Sequence, residues 1–194
     1  MLRVTEVLDY FATPWLVAWK VKVGAKEANR ISKAAMKIGT RVDEYIKANP
    51  YLPKLSKKDE VDLLNPILAY YKWFNVYKPT SIVPQARIVG MLEEVEVSGE
   101  PDLLVDDVLV DLKCSSRISP VYWIQVNVYA YLAQRHKVAI LRLDKVTGAY
   151  EYVIKDYDKS LVLVWLGLAR AYLYYKGDGD GLNIQEVGEV EGVA

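Results

Sequence analysis

Between Pro101 and Lys113 the chain reads PDLLVDDVLVDLK: two apolar triplets around a pair of acids, with a further acid outside each triplet. Leu103–Val105 and Val108–Val110 read as strands, and Asp106-Asp107 is a two-residue connection of the kind that closes a tight hairpin. Asp102 and Asp111, with eight residues between them, therefore lie on paired strands and can converge. Asp111 opens the tripeptide Asp111-Leu112-Lys113. Gln125 comes twelve residues after Lys113, and Tyr129 follows one helical turn later. That segment opens with Ser119 as N-cap and Pro120 at the first helical position, which predicts a helix over 120–136.

Elsewhere the pattern divides into a helical first part and a stranded second part. Residues 4–20 predict one or two short helices, with Thr5 a possible cap and Thr13-Pro14 a restart before Trp15. Residues 28–48 predict a helix with Ile31, Ala35, Ile38, Val42 and Tyr45 along its apolar stripe. At about 100° per residue, Asp43 falls at the edge of that stripe and Glu44 points nearly the opposite way. Asn49-Pro50 breaks the helix, and Ser56 with Asp59 suggests a capped start for another that runs to about Val76 and kinks at Asn65-Pro66. Strands are expected at 81–89, 93–97, 102–105 and 108–113, then a hairpin of 138–143 and 150–154 turned at Thr147-Gly148. A last helix over 159–175 ends at Gly177, where a flexible tail begins.

Several classes are excluded by composition. The chain has 194 residues, suited to one domain, no apolar run that would span a bilayer and no signal-peptide pattern at its start, so it is expected to be soluble and intracellular, with no membrane partner. The single Cys114 rules out an internal disulfide framework and a multi-cysteine zinc or iron–sulfur site. A net charge of zero argues against coating nucleic acid by bulk electrostatics. It leaves room for an enzyme that gathers acidic residues in one place.

The acid pair with Lys113 suits phosphodiester hydrolysis assisted by Mg²⁺ or Mn²⁺, hard ions that prefer carboxylate and carbonyl oxygens. Asp102 and Asp111 would bind the ion, the backbone carbonyl of Leu112 would add a ligand, and Lys113 would hold the attacking water and offset developing negative charge. On a helical wheel Gln125 shares a face with Val121, Val128, Tyr129 and Leu132, so an amide sits inside an apolar stripe and needs a polar partner. Lone His136 at a helix end, with no Ser or Cys elbow beside it, is read as a surface imidazole; Arg87, Arg117, Arg135 and Lys137 are read as scattered surface charges.

Pro101-Asp102 followed by Asp111-x-Lys113 resembles the motif of the PD-(D/E)XK nuclease superfamily. Gln125-x-x-x-Tyr129 resembles the additional motif of its RecB-like exonuclease branch, and Gly39–Glu44 resembles that branch's first motif. The resemblance spans roughly residues 30–135. It implies a restriction-endonuclease-like α/β fold, with an αβββαβ core, a mixed central sheet and an N-terminal helical lobe. The expected division is a lobe at 1–78, a sheet core at 79–176 and a tail at 177–194. It also implies a metal-dependent DNA exonuclease acting on single strands or ends, with Asp102, Asp111, Lys113, Gln125 and Tyr129 catalytic, and Asp43, Asp102, Asp111 and Leu112 on the metal. Asp43 stands where the branch usually has a metal-binding histidine. The four cysteines that hold an iron–sulfur cluster in CRISPR-associated relatives are absent, so the chain resembles the cluster-free viral and phage forms. An endonuclease or junction resolvase of the same fold, or a non-catalytic nucleic-acid-binding module, is the alternative. Oligomeric state is left open.

Overall fold

A computed structural model describes residues 1–11, 14–51 and 61–177. In chain order the elements are β1 (Leu2–Arg3), α1 (Val4–Tyr10), α2 (Pro14–Val23), α3 (Ala25–Ala48), α4 (Val61–Tyr77), β2 (Ile82–Pro84), β3 (Ile88–Leu92), β4 (Val95–Gly99), β5 (Leu103–Val105), β6 (Val108–Lys113), α5 (Pro120–Ala133), β7 (Lys137–Leu143), β8 (Tyr150–Asp156) and α6 (Lys159–Lys176). The central sheet runs β2-β5-β6-β7-β8 and is mixed: β6 and β7 are parallel, the other neighbours antiparallel. A parallel pair cannot be joined by a tight turn, and α5 is the crossover that joins this one. Strands β1, β4 and β3 form a second, smaller sheet.

The hairpin at the heart of the sequence closes as its residues predict. Val105 pairs with Val108, Asp106 takes the left-handed φ of 54° that such a turn needs, and its carboxylate accepts the N–H groups of Thr80 and Ser81 at 2.9 and 3.0 Å. Strand β6 is buried from Val108 to Leu112, the pattern of a strand covered on both faces. Val108, Val110 and Leu112 pack with α3 and α4, in a core that includes Ile46, Ile67 and Trp73. Leu109 points the other way, into a core with Val126, Trp165 and Val7 from α5, α6 and α1. Burial of each such side chain contributes about 1.5–3 kcal/mol, and Leu109→Ala, at 0% exposure, should cost about 2–5 kcal/mol. By alternation, Asp111 and Lys113 stand on the Leu109 face, towards α5.

A buried amide couples the two helices on that face. Asn127 Nδ2 donates to the Trp123 carbonyl at 2.8 Å, while its Oδ1 accepts the Asp158 N–H at 2.7 Å. Asp158 in turn caps α6 by accepting the Ser160 N–H at 2.8 Å, so one side chain of α5 fixes where α6 starts.

Several expected boundaries shift. The single strand expected over 81–89 is two: β2 ends at Pro84, which has no N–H for a ladder, and β3 starts at Ile88 in the other sheet. The strand expected at 93–97 begins at Val95, because Glu93, with φ 52°, turns the β3–β4 hairpin. Helix α5 stops at Ala133, three residues short of expectation, where Gln134 adopts a left-handed cap. The early helical stretch is two helices, and β1 was not anticipated. Helix α3 starts three residues before the expected 28. Ile31, placed on the apolar stripe of α3, is 39% exposed; the buried face is Ala28, Val42 and Ile46. The Ser56–Asp59 start and the tail beyond Gly177 lie outside the described residues. Among the described residues no helix is long and apolar enough to cross a membrane.

Candidate active site

Asp102 directly precedes β5, and the register that pairs Leu103 with Val110 continues to set Asp102 opposite Asp111. Its Oδ2 accepts the Leu112 N–H at 2.6 Å, so the main chain of β6 holds the first acid beside the second. Asp111 is 1% exposed. One of its oxygens lies 2.6 Å from Lys113 Nζ; the other accepts from Gln125 Nε2 at 3.3 Å. Gln125 also donates to the Tyr129 hydroxyl at 3.0 Å. The amide embedded in an apolar stripe thus finds its partners in a carboxylate and a phenol one turn along the same helix.

Helix α3 brings Asp43 from the opposite layer. Lys47, one turn on, lies 3.0 Å from Asp43 Oδ2 and 3.2 Å from Asp102 Oδ1, so a single ammonium bridges the two acids. Sequence reasoning missed Lys47; its signal was the i,i+4 spacing from Asp43, which puts both on one side of the helix. It also missed Gly99. An added Cβ there would overlap the Tyr129 ring, 2.6 Å from Cδ1. Arg87, read as scattered surface charge, donates to Ser98 Oγ at 3.0 Å and lines the wall of the site.

The charges are held against their preferences. Burial raises the Asp111 carboxyl to about 7 despite the opposing pull of Lys113, with Asp102 adding to the rise. Burial and then Asp102 raise Asp43 to about 6, against Lys47. Burial works to lower Lys113, but Asp111 and Asp102 outweigh it and keep the ammonium well above its usual value. Burial likewise lifts the Tyr129 hydroxyl to about 12, so at neutral pH it is a phenol. The Lys113 ammonium also lies 5.0 Å from the centre of the Tyr122 ring.

Two clefts of about 520 and 690 Å³ meet at this cluster and share Thr40, Asp43, Asp102 and Gln125. Asp111, Leu112, Lys113, Tyr122 and Lys145 line the smaller; Lys47, Arg87, Gly99 and Tyr129 line the larger. The residues singled out from sequence (Asp43, Asp102, Asp111, Leu112, Lys113, Gln125, Tyr129) all come to this junction. Glu44 is exposed on the rim of the larger cleft. His136 lies in a separate cleft beside Tyr157, and Arg135 pairs with Asp107 at 3.1 Å on the hairpin turn, at the other end of β6 from Lys113.

The donor chemistry suits a hard divalent ion. All three side chains are carboxylates, and Asp43 Oδ1 is buried with no hydrogen-bond partner, an expensive state that a cation would relieve. Among the described residues, however, no three acidic, histidine or cysteine side chains form a ready metal-holding group. The three acids are instead paired with lysines: Lys47 lies between Asp43 and Asp102, and Lys113 against Asp111.

No family model and no curated protein matches the sequence. The comparison with solved structures gives a different result. An alkaline exonuclease from Laribacter hongkongensis aligns at a TM-score of 0.56 over 92% of this chain and 89% of its own, with 14% sequence identity. The chain shares the fold of this exonuclease. The same exonuclease in complex with dAMP aligns at 0.56 over 94% and 91%, again with 14% identity. The α/β fold with a mixed central sheet, expected from the resemblance to the PD-(D/E)XK nucleases, is therefore present.

Proposed function

We propose that this chain is a divalent-metal-dependent deoxyribonuclease that works as an exonuclease on single strands or DNA ends. What supports this is the meeting of Asp102, Asp111, Lys113 and Gln125 at one cleft junction on a nuclease fold. A binding module would have no need to bury Asp111 at 1% exposure beside a lysine. The exonuclease with the shared fold has been crystallised with dAMP, a nucleoside monophosphate of the class that stepwise DNA hydrolysis releases.

Asp43, Asp102, Asp111 and the Leu112 carbonyl would hold the ion. Bound Mg²⁺ or Mn²⁺ would supply an acidified water and screen phosphate oxygens. The protein's own part is mostly electrostatic positioning. Lys113 keeps its proton across the physiological range and carries a fixed positive charge where negative charge grows on the phosphate. Gln125 fixes the Asp111 carboxylate from the helix side, so that its lone pairs keep one orientation. The Tyr129 hydroxyl accepts from Gln125 and stops the amide from turning away.

The deciding experiment is cleavage of end-labelled linear and closed circular single-stranded DNA with Mn²⁺, using the parent protein, Asp111→Ala and Lys113→Ala. Mononucleotides from the linear strand alone, lost in both variants, are expected. Cutting of the circle would make the chain an endonuclease. Inactivity of the folded parent on both would overturn the nuclease reading.

A further inference from the structure

Helix α3 carries more than Asp43. Lys26, Arg30, Lys33, Lys37 and Arg41 recur at intervals of four, three, four and four residues, which sets all five within a narrow strip of one helix face. The first four are exposed, and Arg41 is half-buried. The strip spans about 22 Å at 1.5 Å per residue. Glu27 binds Arg30 at 2.6 and 2.8 Å, whereas among the described residues Lys26, Lys33 and Lys37 form no ion pair. In a chain of zero net charge, three unpaired lysines on one helix face are an uneven distribution of charge rather than a general excess.

The same helix forms a wall of the site. Ala35, Met36, Gly39, Thr40 and Asp43 line the smaller cleft, on the face next to the basic strip. Met36 is 71% exposed there, an unbranched apolar surface against which a base can lie. Met36 and Thr40, each three residues after a lysine of the strip, stand beside Lys33 and Lys37, so the strip passes next to the rim of the smaller cleft, while Asp43 points away from Arg41 and into the cleft.

We propose that this face of α3 is a track for the backbone phosphates of a single DNA strand that passes beside the rim of the smaller cleft at Lys33 and Lys37. The inference rests on the nuclease reading for its substrate, but it concerns binding alone. About 22 Å of regularly spaced cations matches a run of three or four phosphates of an extended strand, and contacts of this kind are sequence-independent. Charge complementarity thus supplies the occupant, and the place of Lys33 and Lys37 beside the cleft rim ties it to the site.

The test is the affinity of a fluorescein-labelled 20-nucleotide single strand, measured by anisotropy against salt concentration in an Asp111→Ala background without added metal. Lys33→Gln/Lys37→Gln should bind roughly tenfold or more weakly at low salt, with a log–log salt slope smaller by about 1.4, since each phosphate contact on a single strand adds about 0.7. Lys137→Gln/Lys159→Gln removes the same charge from exposed positions remote from α3, and should leave both quantities as in the parent. Unchanged affinity and slope in the α3 variant, an equal loss in the control, or no binding by the parent would each overturn the track. Because no turnover is measured, failure of the track and failure of the nuclease reading show in separate experiments. Melting curves of both variants, expected to match the parent, exclude misfolding as the cause of a loss.

Discussion

Gly99 stands so close to the Tyr129 ring that no other residue fits there without moving the ring. Gly99 ends β4 of the smaller sheet, and Tyr129 is on α5, so the packing of one sheet edge sets the position of the phenol that Gln125 binds. Gly99→Ala should cost about 1–3 kcal/mol of stability, as overpacking does, and should lower cleavage more than Tyr129→Phe, which keeps the ring in place. Melting temperature and turnover of the two variants check this. Equal turnover for Gly99→Ala and the parent would detach the ring position from catalysis.

Lys47 neutralises two acids that a metal ion would also need. Lys47→Ala should tighten Mn²⁺ binding roughly tenfold or more, since a competing charge about 3–4 Å from a carboxylate is worth about 1 kcal/mol even in bulk water and more in a partly buried site. The same variant should melt earlier than the parent in chelator, because Asp43 and Asp102 then face each other without a counter-ion. Calorimetric titration with Mn²⁺ and melting in chelator are the measurements. Weaker metal binding would show instead that Lys47 positions the acids for the ion.

The resemblance implies that Asp43 stands where the related nucleases have a metal-binding histidine. Asp43→Ala should cut activity and metal affinity, and Asp43→His should recover part of both while shifting preference from Mg²⁺ towards Mn²⁺, to which a nitrogen donor is better suited. Glu44→Ala, on the exposed side, is the control and should cleave normally. Rates against Mg²⁺ and Mn²⁺ concentration decide it. Parent-like activity of Asp43→Ala would remove Asp43 from the site.

Stability should depend on pH in a direction opposite to that of ordinary salt-bridged acids. Asp43 and Asp111 titrate near 6 and 7 in the folded protein against an ordinary 3.8, so the folded state holds protons that the unfolded chain has released. Their stabilising contribution is complete below about pH 4 and is lost as pH rises through 6 and 7. In chelator, Asp111→Asn should flatten the fall in melting temperature between pH 5 and about 8, since the amide has no proton to lose. Saturating Mn²⁺ should restore stability at the alkaline end. A parent and Asp111→Asn with parallel profiles would mean that Asp111 is ionised throughout.

What the sequence determined by itself lay where chemistry and periodicity are local. The hairpin at Asp106-Asp107, the apolar triplets beside it and the Ser119-Pro120 helix start are short-range signals, and they place Asp102, Asp111, Lys113, Gln125 and Tyr129 in their elements. Strand alternation then puts Asp111 and Lys113 on one face. Tertiary structure decided the rest. Whether Pro84 ends one strand or interrupts a longer one depends on which sheet each half joins, and a run of apolar residues does not carry that information. Ile31 is exposed because burial needs a covering neighbour, so helical spacing could nominate it for the core but could not bury it. The bridge from Lys47 to Asp102 joins residues 55 positions apart on different layers. It exists because burial makes unpaired carboxylates costly and the nearest ammonium is drawn between them.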